Sequence, residues 1–277
     1  MTGDKELIFT KMHGAGNDFV VLDAVRKKTV LTPSQCRFLC DRRFGVGADQ
    51  ILIVSRSTRA DYRMTIMNAD GSQAEMCGNG IRCVARFVRQ RGYASRKDVS
   101  FETLAGLIKT TWEGTRVSVD MGIPVLEAAE IPTKATGRVV NRLLTVGKVR
   151  IPITCVSMGN PHCVIFVDDV WKTPVEDWGP AIENHPFFPR RVNVEFVSVK
   201  TPSQADVRVW ERGAGLTLAC GTGACAVGVA GVLTGRFHRA VTLKLPGGRL
   251  GVEWKADDHV ILTGPAAFVY EGRIRLG

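Results

Sequence analysis

The sequence lacks several features that mark other classes of protein. No apolar run approaches the ~20 residues that a helix needs to cross a bilayer, and the N-terminal stretch has no apolar, signal-like segment. No two of the eight cysteines form a CxxC pair, so the usual signatures of zinc ribbons and thioredoxin-like folds are missing. We therefore expect a cytoplasmic globular protein with no membrane span, no structural metal and no disulfide framework.

Aromatic residues and clusters of basic residues are also scarce. Aromatic side chains make up only 7% of the 277 residues and do not alternate with Lys or Arg. The formal net charge is +10, but the basic residues are dispersed and form no block of the kind found in nucleic-acid-binding tails. We expect a solvated basic surface and no nucleic-acid partner.

The sequence does contain an internal duplication with a constant spacing. Cys220 follows Cys77 by 143 positions (220 − 77), and the same spacing relates residues in several other motifs of the two halves. A repeat this long predicts two domains of like fold rather than a solenoid, whose units are shorter. The matched pairs are Asn17 and Asn160, Gln50 and Asn193, Asn68 and Glu211, Cys77 and Cys220, Gly78 and Gly221, and Gly80 and Gly223.

Each half has the same predicted order of elements: a helix, two strands, a polar loop, a cysteine and a second helix. In the first half, Thr32 and Pro33 are a typical N-cap and first helical residue. In the second half, the helix predicted at 222–235 has no charge and consists mostly of Gly, Ala and Val, so it should be buried on all sides. The simplest arrangement wraps a curved sheet around it.

These patterns predict an α+β fold of two pseudo-symmetric domains. Each domain is a curved, mostly antiparallel sheet around a central helix, and the active site lies in the cleft between the domains. We expect the first domain to span 1–122, with a C-terminal strand at 266–277 that returns to it. The second domain should span 123–265.

The two matched cysteines each precede a Gly-x-Gly turn that opens a helix. Cys77-Gly-Asn-Gly and Cys220-Gly-Thr-Gly therefore place a thiol beside free backbone N–H groups. Such a position should lower the thiol pKa from ~8.5 and should bind a carboxylate. Two such halves facing each other suit inversion at carbon, in which one thiolate removes an α-proton and the opposite thiol returns one.

Together, the motifs resemble the diaminopimelate epimerase family, within a superfamily that includes proline racemase and phenazine-biosynthesis isomerases. The resemblance implies interconversion of L,L- and meso-2,6-diaminopimelate in lysine and peptidoglycan precursor synthesis, with no pyridoxal phosphate or metal. The motifs, in chain order, are GAGNDF, GADQ, NADGS, MCGNGIRC, MGNPH, RVNVEFV, ERGAG, ACGTGACA and the C-terminal FVYEG.

The resemblance also implies a role for each matching residue. Cys77 and Cys220 would be the acid–base pair. The backbone of Gly78, Asn79, Gly221 and Thr222 would hold the reacting carboxylate. The distal amino-acid head would lie on Asn68, Asn160, Asn193 and Arg212. Asn17 and Gln50 would line the reacting centre, while His162 and Glu211 would orient the α-amino group. Tyr270, in FVYEG, would belong to a homodimer contact, although a tyrosine packed in the core fits this position equally well.

The residue types suit a substrate with two charged ends, although alternatives remain open. An Arg fork reads a carboxylate, and an Asn amide offers both a donor and an acceptor. Taken singly, each Asn also fits a turn or cap, Arg212 a surface ion pair, and His162 a structural histidine. A racemase of proline or hydroxyproline would keep both cysteines without a distal pocket. A non-catalytic amino-acid-binding protein would not need the thiols.

Overall fold

In a computed structural model, residues 5–276 are described, and they divide into two compact units. The first unit comprises 5–119 together with 264–276, and the second comprises 120–263. The predicted domain ends at 1–4 and 277 lie outside the described residues. No helix within 5–276 is long and apolar enough to cross a membrane.

The first unit contains one sheet and two helices. Strand β2 pairs antiparallel with β1 and parallel with β3, and β3 pairs antiparallel with β4. Strand β4 continues to β5 and, in parallel, to β6; β6, β7 and β8 are antiparallel. The elements are β1 (Lys5–Gly14), β2 (Asn17–Ala24), α1 (Pro33–Cys40), β3 (Gln50–Ser55), β4 (Tyr62–Asn68), β5 (Gln73–Ala74), α2 (Gly78–Gln90), β6 (Asp98–Thr103), β7 (Gly106–Glu113) and β8 (Arg116–Asp120).

The second unit repeats this order of elements and pairings. Strand β11 pairs antiparallel with β10 and parallel with β12, β12 pairs antiparallel with β13, and β13 pairs with β14 and, in parallel, with β15. The elements are β9 (Arg142–Val146), β10 (Val149–Ser157), β11 (Pro161–Phe166), α3 (Val175–Glu183), β12 (Asn193–Thr201), β13 (Gln204–Glu211), β14 (Gly215–Thr217), α4 (Gly221–Leu233), β15 (Ala240–Leu245), β16 (Gly248–Trp254) and β17 (Val260–Pro265).

Strand β18 (Ala267–Leu276) pairs antiparallel with β1, so the end of the chain belongs to the sheet of the first unit. In both units most strand pairs are antiparallel, and the pairing scheme is shared. The predicted α+β fold of two duplicated halves is therefore confirmed.

The local sequence explains how the helices begin and end. Thr32 caps α1 in a capping box with Gln35. Helix α4 packs against β10, β11, β12, β15 and β16, so its sheet wraps around it as its uncharged sequence predicts. It ends two residues before the predicted limit, because Gly235 takes a left-handed φ of 69° and its N–H bonds to the carbonyl of Val232.

Candidate active site

The two matched cysteines are the N-cap residues of α2 and α4. Cys77 is extended, and its sulfur accepts the N–H of Gly80 at 3.3 Å. Cys220 is also extended, and its sulfur accepts the N–H of Gly223 at 3.4 Å. Each thiol therefore lies at the positive end of a 13-residue helix.

The second glycine of each turn lets the strand below approach closely. A Cβ on Gly80 would lie 3.2 Å from the Leu52 side chain, whereas a Cβ on Gly223 would lie 2.6 Å from Oε1 of Glu195. The two turns thus have the same backbone arrangement but different neighbours: an apolar side chain in the first unit and a carboxyl group in the second.

A network of amides surrounds Cys77. The thiol donates to Oδ1 of Asn17 at 3.5 Å, and Nδ2 of Asn79 donates to the same oxygen at 3.4 Å. The amide of Asn17 in turn donates to Asp49 at 2.7 Å. The fully buried Arg82 donates to Oδ1 of Asn79 at 2.7 Å, so its guanidinium orients that amide. The structure therefore brings three of the predicted site residues together.

Gln50 and Asn68 form a second predicted pair in the same unit. They face each other across the antiparallel β3–β4 pair, and Nε2 of Gln50 donates to Oδ1 of Asn68 at 2.8 Å. The Asn68 amide also donates to Ser72 at 2.9 Å. Both side chains are half-buried, so they remain reachable by a ligand.

Carboxyl groups lie near Cys220, in contrast to the amides around Cys77. Oε1 of Glu211 accepts the hydroxyl of Thr217 at 2.6 Å, and burial raises the pKa of this carboxyl group. The hydroxyl of Thr222 lies 3.4 Å from the sulfur of Cys220. Burial raises the pKa of the Cys220 thiol well above its usual value, and the nearby charges of Glu211 and Glu195 raise it further.

The sequence-based expectation of a lowered thiol pKa is therefore wrong for Cys220. The Thr222 hydroxyl and the Gly223 N–H do lower the pKa, as a helix N-terminus should. Desolvation of a side chain that is only 6% exposed, together with two carboxyl groups, outweighs them. Cys220 consequently holds its proton at neutral pH in this structure.

His162 is fully buried and links two other residues of the second unit. Its Nδ1 lies 2.7 Å from Oε1 of Glu195, and its Nε2 lies 3.0 Å from Oδ1 of Asn160. No group of three or more His, Cys, Asp or Glu side chains within residues 5–276 is arranged to hold a metal ion.

Asn193 and Arg212 are joined through the backbone. The Asn193 amide donates to the carbonyl of Pro161 at 2.8 Å and accepts the N–H of Arg212 at 3.0 Å. The guanidinium of Arg212 is exposed and donates to the carbonyl of Arg190 at 3.2 Å. In this structure Asn193 therefore supports the chain around the site, while Arg212 presents its charge at the surface.

Sequence reasoning missed two buried charged residues beside the cysteines, Arg82 and Glu195. The duplication carried a signal that could have found them. Arg82 matches Cys225 at the common spacing (225 − 82), and Glu195 matches Leu52 (195 − 52). A charged residue whose repeat counterpart is apolar is not needed by the shared fold, so it marks a position worth inspecting.

Comparison with known sequences identifies the family. The sequence model of diaminopimelate epimerase matches residues 9–127 and 154–269. The diaminopimelate epimerase of Picosynechococcus sp. is 51% identical over 279 residues, covering 98% of this chain and 99% of the relative. That of Moorella thermoacetica is 52% identical over 272 residues, covering 95% and 98%.

Solved structures share the fold at low sequence identity. A phenazine biosynthesis protein of the PhzF family from Bacillus anthracis has a TM-score of 0.72 at 17% identity, covering 98% of this chain and 100% of that chain. A hydroxyproline epimerase from Agrobacterium vitis has a TM-score of 0.72 at 16% identity, covering 100% and 94%. With the family match spanning most of both units, the chain belongs to the diaminopimelate epimerase family of isomerases.

Proposed function

We propose that this protein epimerises L,L-2,6-diaminopimelate to the meso isomer, a step in the synthesis of lysine and of peptidoglycan precursors. The observation that carries the proposal is the matched placement of Cys77 and Cys220 as N-caps of equivalent helices. Inversion by two separate groups needs a base and an acid on opposite faces of one carbon. A duplicated chain supplies such a pair without any cofactor.

The chemistry balances within the two thiols. The Cys77 thiolate takes the α-proton and becomes a thiol, while Cys220, which holds its proton at neutral pH, gives that proton to the opposite face. The product leaves with the two protonation states exchanged, and proton transfer with water restores them. In the reverse direction the thiols swap roles.

The helix N-termini would stabilise the intermediate. Removal of the α-proton places negative charge on the substrate carboxylate, which becomes an enediolate. The backbone N–H groups at Gly78, Asn79, Gly221 and Thr222 are the donors that we assign to it. Preorganised donors of this kind are worth about 3–4 kcal/mol each in a water-excluded site.

The remaining site residues would distinguish the two ends of the substrate. We assign the ammonium group at the reacting end to the carboxyl group of the half-buried Glu211. His162, whose two ring nitrogens contact Glu195 and Asn160, would support this end of the site without contacting the ammonium group. Asn17 and Gln50 would line this end. The distal amino-acid head is assigned to Asn68, Asn160, Asn193 and Arg212.

Substrate choice tests the proposal directly. The purified protein is incubated with L,L-diaminopimelate and, separately, with L-proline and trans-4-hydroxy-L-proline, and the stereoisomers are separated by chiral chromatography. We expect the meso isomer from the first and no inversion of the other two, which lack a second charged head. Inversion of either proline substrate instead would refute the assignment.

We also propose that the protein acts as a homodimer through β1 and β18. Ile8, Val269 and Tyr270 are exposed apolar side chains on these two strands, and the Tyr270 ring packs edge-on against Phe9 at 5.9 Å. An exposed apolar surface on a paired strand favours association. Sedimentation should show a dimer for the native chain and a monomer for Val269→Lys. A native chain that sediments as a monomer, like the variant, would contradict the proposal.

A cytoplasmic location is likewise a proposal. Most of the cysteines are buried as thiols, and thiols of this kind persist in a reducing compartment. Cell fractionation tests it, with the expectation that the protein accompanies cytoplasmic markers. The buried cysteines include Cys36, Cys40, Cys83, Cys155 and Cys163.

A further inference from the structure

The second unit buries an acid–histidine pair that its fold does not require. Glu195 on β12 and His162 on β11 are both fully buried and lie 2.7 Å apart. Their counterparts at the common spacing are Leu52 on β3 and Phe19 on β2, and those strands pair in parallel in the same way. Burial of ionisable groups is destabilising unless they are well paired, so the shared fold forms more easily without them.

The pair is the inner end of a chain of hydrogen bonds that leads outward. His162 contacts Glu195 through Nδ1 and the amide oxygen of Asn160 through Nε2, at 3.0 Å. An amide oxygen can only accept, so Nε2 carries a proton. This holds whether the other proton of the pair resides on Nδ1 or on the carboxyl group. The NH2 group of Asn160 is consequently turned away from His162.

Glu195 is also packed tightly against the start of helix α4, and one of its oxygens lacks a hydrogen-bond partner among the described residues. Its Oε2 is buried and has no hydrogen-bond partner in the described part of the chain. Its Oε1 is so close to α4 that a Cβ added to Gly223 would lie only 2.6 Å from it. A buried carboxyl oxygen without a hydrogen-bond partner is destabilising. The chain tolerates this cost next to the turn capped by Cys220, and a role in the site would explain why.

We propose that Glu195 is a positioning residue, which holds the His162 ring so that Nε2–H fixes the Asn160 amide with its NH2 group toward a substrate carboxylate. The inference rests on the proposed function, in which Asn160 contacts the distal head of the substrate. Glu195 itself touches no substrate. By fixing the Asn160 amide, Glu195 favours a substrate carboxylate over an ammonium group beside Asn160, because the exposed NH2 group can only donate hydrogen bonds.

Kinetics of a double-mutant cycle test the proposal. Glu195→Leu, which installs the residue of the matched position 52, should raise KM for L,L-diaminopimelate about tenfold with a smaller change in kcat. That is the loss of about one hydrogen bond to a charged group. Asn160→Ala should raise KM similarly, and the double variant should show no further increase. Glu195→Gln, which can still donate to Nδ1, should restore KM to within about threefold.

Two kinetic results would contradict the positioning role of Glu195. Additive effects of Glu195→Leu and Asn160→Ala on KM would show that Glu195 does not act through Asn160. A loss of kcat with KM unchanged would also overturn the proposal. Ser198→Ala, which removes another buried polar side chain from β12, is the control and should leave KM unchanged.

A spectroscopic measurement separates this inference from the proposed function. In substrate-free protein labelled with 15N-histidine, the His162 ring should show a slowly exchanging, downfield proton that disappears in Glu195→Leu. His162→Gln assigns the signal. An unchanged signal in Glu195→Leu would refute the positioning role even if the enzyme is active. Absence of any turnover by the native protein would refute the proposed function while the ring signal still tests the hydrogen bond.

Discussion

The two matched thiols differ in the charged side chains that lie near them. Beside Cys77, the fully buried Arg82 donates to the carbonyl of Gly78 at 2.8 Å and to Asn79. Beside Cys220 lie the buried Glu195 and the half-buried Glu211. A positive charge favours a thiolate and negative charges favour a thiol. Equivalent positions in the repeat thus have neighbours of opposite charge, a guanidinium near Cys77 and carboxyl groups near Cys220.

A charge cluster around Asp18 supports the neighbouring Asn17. Burial alone would raise the pKa of Asp18, but hydrogen bonds from Arg42 and Lys11 and their positive charges lower it from 3.8 to about 2. Asp18 also accepts the backbone N–H of Asp49, whose carboxylate accepts the Asn17 amide. Asp18 therefore helps to hold Asn17 in place, and its ionisation also affects the stability of the protein at low pH.

The lowered pKa of Asp18 predicts how stability depends on pH. The contribution of a carboxylate with a depressed pKa is complete above the unfolded value of 3.8 and is lost as the pH falls through about 2. Asp18→Asn should therefore lower the free energy of unfolding at pH 7, and the difference from the native protein should shrink toward pH 2. Urea unfolding at several pH values measures it; a difference independent of pH would contradict this account.

At the scale of elements, α2 and α4 were predictable in position because their caps are local. The Cys-Gly-x-Gly turns and the uncharged run of α4 are visible in the chain, and both helices begin where those patterns predict. The thiol pKa was not predictable in this way. A helix N-terminus is worth at most about 2 kcal/mol to a nearby charge, whereas the burial of Cys220 and the carboxyl group of Glu195 come from strands that only folding brings beside the turn.

The matched glycines give a prediction for these helix starts. Gly223→Ala would bring a Cβ within 2.6 Å of a Glu195 oxygen that His162 holds in place, whereas Gly80→Ala meets the flexible end of Leu52 at 3.2 Å. Overpacking costs about 1–3 kcal/mol, and an alanine in a helix gains about 1 kcal/mol. Gly223→Ala should therefore destabilise the protein, while Gly80→Ala should be nearly neutral.

Thermal or urea unfolding of both glycine variants measures the difference. The native protein and Gly80→Ala serve as the two references, since the backbone change is the same in each turn. Equal destabilisation by the two substitutions would show that the carboxyl group beneath Gly223 is not held rigidly.

At the scale of the whole molecule, the duplication determines the chemistry that we propose. The 143-residue spacing predicted two like halves and both helix-capping cysteines from sequence alone. It could not show which half would bury a positive charge and which a carboxyl group. Arg82 and Glu195 occupy positions where the other repeat has Cys225 and Leu52, so the spacing aligns them without explaining them.

Single-cysteine variants should have complementary defects. Cys77→Ala and Cys220→Ala should each lose inversion by at least about a thousandfold, because either the base or the acid is missing. The remaining thiol can still remove and return a proton on its own face, so each variant should exchange the α-proton of one stereoisomer only. NMR in D2O with L,L- and meso-diaminopimelate measures this, and exchange of the same isomer by both variants would contradict the two-face arrangement.

The most direct test of the central claim follows deuterium through the native reaction. With L,L-diaminopimelate in D2O, proton transfer by two separate thiols predicts a meso product that carries deuterium at the inverted α-carbon, while the L,L substrate recovered early in the reaction remains undeuterated. The base that removes the proton is then never the acid that returns one. Meso product that retains protium at the inverted carbon would show that a single group carries the proton between faces, and it would contradict the assignment of Cys77 and Cys220 as a pair.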